Sequence, residues 1–169
     1  MKWFPFAILT VVAIVLQTSA TTMIQIQSIR PDLMFLLAVF YAMWGPWPDA
    51  AIAAWILGLV VDLESLDRIG LHALCFGLAA FAIIKIRQVV FRDHAITQLL
   101  VTLVFTVLIH IVFGLYNRWG ASSQEESIVW PALMTGIYTA ALAPYLHWLL
   151  MRMGRWTGLR PTRGLLSPM

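Results

Sequence analysis

Apolar residues in this chain do not alternate, and they do not recur on a single stripe. They form nearly unbroken runs at residues 3–16, 33–44, 50–61, 69–84, 95–116 and about 128–151, separated by short polar breaks. A helix rises 1.5 Å per residue and needs about 20 residues to cross a hydrocarbon core of about 30 Å. The runs predict helices over about 3–27, 32–46, 48–62, 69–85, 95–117 and 128–151. Two prolines in the break Gly45-Pro46-Trp47-Pro48-Asp49 separate the second run from the third. At 12 residues each, those two runs read either as short helices extended into Trp-lined interfaces or as a re-entrant hairpin. The expected fold is all-α: a compact bundle of six transmembrane helices with helices 2 and 3 short and hairpin-like. Residues 1–151 form one polytopic domain and 152–169 a basic cytoplasmic tail. Lys2, the run 3–16 and Ser19-Ala20 also fit a signal peptide, but no soluble mature protein follows them.

Composition moves the reading firmly into the membrane. Of 169 residues 61% are hydrophobic and 11% charged, against about 25% charged in a soluble domain. A net charge of +3 gives no electrostatic footprint for nucleic acid, so the expected surroundings are a lipid bilayer. With six crossings and the N-terminus inside, the cytoplasmic side holds Lys2, Lys85, Arg87, Arg92, Arg152, Arg155, Arg160 and Arg163. Arg30, Arg68 and Arg118 fall outside. Five crossings would exchange only Lys2 for Arg30, so charge places the C-terminus inside without choosing between them. Six is preferred, because one crossing over 31–61 would put Gly45 to Pro48 near mid-membrane. Cys75 is the single cysteine, which excludes an internal disulfide.

Membrane helices pack through small residues and buried polar groups. Ala50, Ala54 and Gly58 recur every four residues toward Asp62; Gly70, Ala73, Gly77 and Ala80 mark the next helix; Ala132, Gly136 and Ala140 mark the last. Two polar stripes stand apart. One runs through Gln17, Thr21 and Gln25, the other through Gln98, Thr102, Thr106, His110 and Gly114, of which Thr102 to Gly114 are expected to share a direction. They read as interhelical hydrogen bonding, as a polar cavity or as a contact with another membrane protein. Asp32 opens the proline-separated pair and Asp62 closes it, placing both carboxylates at one membrane face. They suit either ion pairing with Arg30 and Arg68 or a charged rim that a partner reads.

Signatures of catalysis are missing. The sequence holds no H-E-x-x-H, no G-x-S-x-G and no phosphate loop, and its four histidines, His72, His94, His110 and His147, lack ligand spacing. No enzyme activity, cofactor or metal is expected.

Pro31-Asp32-Leu33, Gly58-Leu59-Val60-Val61-Asp62 and Gly70-Leu71-His72-Ala73-Leu74 together resemble the rod shape-determining protein MreD family. The motif resemblance covers about residues 30–87; the architecture, a chain of membrane helices with a basic end, covers the whole. It implies a noncatalytic subunit of the cell-wall elongation machinery in the bacterial cytoplasmic membrane. The implied partner is MreC, with RodA and its class B penicillin-binding transpeptidase beyond it and the MreB filament reached indirectly. It further implies that Asp32 and Asp62 fix the hairpin ends and that Gly58 and Gly70 permit close packing. His72 and His110 complete the candidate structural or partner-contact residues. The family's bundle is similar to the S-components of energy-coupling-factor vitamin transporters. That keeps open a small-molecule-binding subunit with Gln17, Thr21, Thr106 and His110 lining the cavity. An intramembrane enzyme using Asp32 and Asp62 is the third reading.

Overall fold

A computed structural model describes residues 2–24, 30–65, 70–87, 94–120, 128–154 and 158. Among these residues the chain forms six α-helices and no strand: α1 (Trp3–Ile24), α2 (Leu33–Trp44), α3 (Trp47–Ser65), α4 (Leu71–Ile86), α5 (Ala95–Gly120) and α6 (Val129–Arg152). Among the described residues, Ala95–Tyr116 of α5 is the one helical stretch long and apolar enough to cross a membrane.

The bundle is organised around α2. All ten residues 34–43 are buried, and α2 touches each of the other five helices. A helix apolar on every side belongs in a protein core or in lipid, and LMFLLAVFYAMW, with no polar face to turn outward, lies in the core of the bundle. Its 12 residues reach about 18 Å. T-shaped aromatic pairs fix its neighbours: Phe35 meets Phe76 of α4 at 5.1 Å, and Tyr41 meets Phe6 of α1 at 5.2 Å.

The expected pair of short helices is one short helix and one longer one. At 19 residues, about 28 Å, α3 continues past 62 to Ser65. Asp62 does not stop it, because the carboxylate is satisfied within the bundle, as described below. At its other end the proline-rich break is tight. Pro48 falls in the first turn of α3, where a missing N–H costs nothing, and Asp49 follows on the side favoured by the helix dipole. Gly45 has no room for a side chain: a Cβ there would lie 2.7 Å from the Tyr41 carbonyl and 3.1 Å from the Ala50 Cβ.

The small-residue stripes of α3 and α6 face inward, while on α4 Ala73 and Ala80 are buried and Gly70 and Gly77 half-buried. Ala50, Ala54, Gly58 and Asp62 are buried on α3, and Ala132, Gly136 and Ala140 on α6. A Cβ on Gly136 would come within 2.5 Å of Val107, which is how closely α6 lies on α5. On α5 the buried polar residues are Gln98, Thr102 and Thr106, while His110 and Gly114 are half-buried. The inward stretch thus begins one turn earlier than the expected Thr102 to Gly114. A four-residue step drifts about 40° around a helix, and this drift carries the series off the covered face by His110.

Candidate functional site

Both oxygens of the Asp62 carboxylate are satisfied. Asp62 is 0% exposed. One oxygen, Oδ2, accepts from the backbone N–H of Gly70 at 2.8 Å and of Ala73 at 3.1 Å. The other, Oδ1, accepts from the backbone N–H of His72 at 2.9 Å and from His72 Nδ1 at 2.8 Å. The first amides of a helix have no intrahelical partner, and Gly70, the residue at the N-cap position of α4, has no side chain to offer them. A carboxylate reaching across from α3 takes the place of the local cap. Four converging donors suit an acceptor-only carboxylate, and the positive end of the α4 dipole faces it.

Two glycines make this geometry possible in different ways. Gly58 lies one turn before Asp62, and a Cβ there would stand 2.5 Å from Ala73 Cα and 2.6 Å from the His72 carbonyl oxygen. Only glycine lets α3 approach the α4 backbone so closely. Gly70 was expected to serve close packing as well, yet nothing lies within 4 Å of where its Cβ would be. Its requirement is conformational: φ is +109°, which L side chains rarely adopt. His72 extends the cluster to α5, its ring stacking on Phe113 at 3.9 Å with an interplanar angle of 21°.

Asp32 works at the same end of the bundle on a different helix. Its Oδ1 accepts from Phe35 N–H at 2.8 Å, capping α2. Gln17 of α1 accepts from Leu33 N–H at 2.9 Å, and Thr139 Oγ1 of α6 accepts from Asp32 N–H at 3.0 Å. The far end of α2 is closed by Arg87, which donates to the carbonyls of Ala42 at 2.8 Å and Gly45 at 2.6 Å. Both carboxylates therefore hold helix N-termini and do not face a common reacting position. Arg68, Gln25 and the Thr21 side chain lie outside the described residues, as do Arg92, Arg155, Arg160 and Arg163.

His110 is half-buried with Nδ1 2.9 Å from the Thr106 carbonyl, a bond within its own helix. The polar residues proposed to line one cavity are dispersed: Gln17 serves the start of α2, and Thr106 is buried with no hydrogen-bond partner for its hydroxyl. A cleft of about 280 Å³ opens elsewhere, between the end of α2 (Trp44), the start of α5 (Ala95, Gln98) and the end of α6 (Pro144, His147, Trp148, Met151). His147 Nδ1 donates to the Ala143 carbonyl at 2.7 Å, while its Nε2 is buried without a partner.

Sequence reasoning missed Arg87, Thr139 and His147. Arg87 counted only toward membrane orientation, and its role as a C-cap depends on α4 ending beside α2. Thr139 carried no signal. His147 had one, sitting three residues after Pro144 on the small-residue face of α6.

No curated protein and no solved structure matches the chain. A family model, that of the rod shape-determining protein MreD, matches residues 1–153. With nine-tenths of its length covered, the chain belongs to the MreD family.

Proposed function

We propose that this protein is a noncatalytic scaffold of the bacterial cell-elongation machinery that binds MreC in the cytoplasmic membrane. Through MreC it helps couple MreB filaments to peptidoglycan synthesis by RodA and its class B penicillin-binding transpeptidase. A role in rod-shape determination follows from family membership, and the family is one of bacterial membrane proteins. The topology we propose has six crossings with both termini cytoplasmic, so that Asp32, Asp62 and the start of α4 lie toward the outer face.

The observation that carries the scaffold reading is the commitment of Asp62. Its two oxygens receive four donors from α4, leaving it as a structural clasp and not an acid or base poised over a substrate. Apolar side chains lie open along α1, α4 and α5, among them Phe4, Val11, Leu78, Ile96 and Val104, giving a partner's membrane helix long faces on which to lie.

Affinity purification of the tagged full-length chain from its native membrane in mild detergent tests this reading. Recovery of MreC, with or without RodA and the transpeptidase, is the expected result. Recovery of a transmembrane coupling subunit with paired ATPases, and no MreC, would replace it with the transporter reading.

A further inference from the structure

The cleft between the ends of α2 and α6 and the start of α5 contains a buried acceptor with nothing to accept. His147 is 1% exposed. Its Nδ1–H is spent on the Ala143 carbonyl at 2.7 Å, so the remaining nitrogen, Nε2, presents a lone pair; it is buried and has no hydrogen-bond partner. His147 is one of the residues that line the cleft. Nearly all buried polar atoms in folded proteins are paired, and an unmade bond there is costly. Thr106 Oγ1 is orphaned in the same way, but His147 also lines a cleft, where an entering N–H or O–H could supply the missing bond.

Its surroundings narrow the class of donor. The walls are largely apolar, from Trp44, Pro144, Trp148 and Met151. Trp148 is exposed, and one turn further along α6 the Arg152 guanidinium lies 5.5 Å from the Trp148 ring centre. Tryptophan and arginine together at a helix end mark the head-group level of a bilayer, and Arg152 sets a cation beside the cleft for a phosphate. At about 280 Å³ the cleft is just below the roughly 300–1,000 Å³ of small-molecule pockets. That is room for a head group and not for a whole lipid.

We propose that this cleft binds the head group of a phospholipid carrying a hydrogen-bond donor, with His147 Nε2 as acceptor and Arg152 beside the phosphate. The donor is an ammonium or a hydroxyl. The inference needs the protein in a bilayer but does not rest on which partner it binds or which way it faces.

The test is native mass spectrometry of the purified full-length protein offered phosphatidylethanolamine, phosphatidylglycerol and phosphatidylcholine with identical acyl chains. All three carry the phosphate, but the choline head group has no N–H or O–H to give. The first lipid retained is expected to be a donor lipid, favoured about three- to tenfold over phosphatidylcholine. Preference for the ethanolamine lipid would identify the ammonium as the donor, and preference for the glycerol lipid the hydroxyl. His147→Phe keeps a ring against Phe40 and should abolish the preference. Ala95→Trp, at the exposed rim of the cleft on α5, fills the space without touching the buried interior and should remove the site even if the histidine variant fails to fold. Equal retention of all three lipids by the unaltered protein would overturn the proposal. So would a donor preference that survives Ala95→Trp.

Discussion

The two ends of the bundle treat a buried polar side chain in opposite ways. At one end Asp62, with no exposure, meets four donors from α4. At the other His147, as thoroughly enclosed, has one nitrogen bonded and one without a partner. The difference separates a closed structural device from an incomplete one. The Asp62 end fixes how α3 and α4 lie against each other, and removing any part of it should show first in stability. The His147 end adds less to the fold, and altering it should show first in what the protein binds.

The largest expected effect follows from Asp62→Ala, which leaves three backbone amides and an imidazole facing an empty space. Removing one side of a buried charged cluster costs about 3–5 kcal/mol, and thermal unfolding in detergent should show a protein that is barely folded. Asp62→Asn keeps one acceptor oxygen but turns an N–H₂ toward donors. Its loss should be smaller, about 1–3 kcal/mol. Equal and near-neutral effects of both changes would erase the distinction between the two ends.

Gly58→Ala sharpens the same contrast from the packing side. The added methyl meets α4 backbone at 2.5 Å, and overpacking of this kind costs about 1–3 kcal/mol. Gly58→Leu should do worse, reducing the amount of protein recovered from the membrane. Gly70→Ala tests conformation alone: open space surrounds the site, so the expected loss of about 1–2 kcal/mol comes from its φ of +109°. A smaller effect still belongs to His72→Phe, which keeps a ring over Phe113 while removing one hydrogen bond to Asp62, about 0.5–1.5 kcal/mol. His147→Phe should leave the melting temperature nearly where it was.

The helices and their order were legible because long apolar runs with proline and charge breaks leave few alternatives. The stripe Ala50, Ala54, Gly58 was legible as a packing face for the same reason: small residues at four-residue spacing let backbones approach. The candidate site was legible in its members but not in its wiring. Asp62 was placed at a helix end, yet its true work is on α4, whose first amides it holds from a neighbouring helix, a contact that no local pattern records. Gly70 was singled out, but packing and a positive φ leave the same mark on a sequence. Arg87 shows the same limit, since a cation at a helix end satisfies the charge rule for membranes whether or not it also caps α2.

The central claim is that the Asp62 cluster serves the fold of a scaffold and performs no chemistry. The most direct measurement is rod shape in cells whose only copy is Asp62→Asn, taken together with the amount of folded protein in the membrane and the MreC that copurifies with it. Shape restored in proportion to folded protein is the result expected. Cells that lose rod shape while the variant is folded, abundant and bound to MreC as well as the unaltered protein would contradict the claim and return Asp62 to the list of reacting groups.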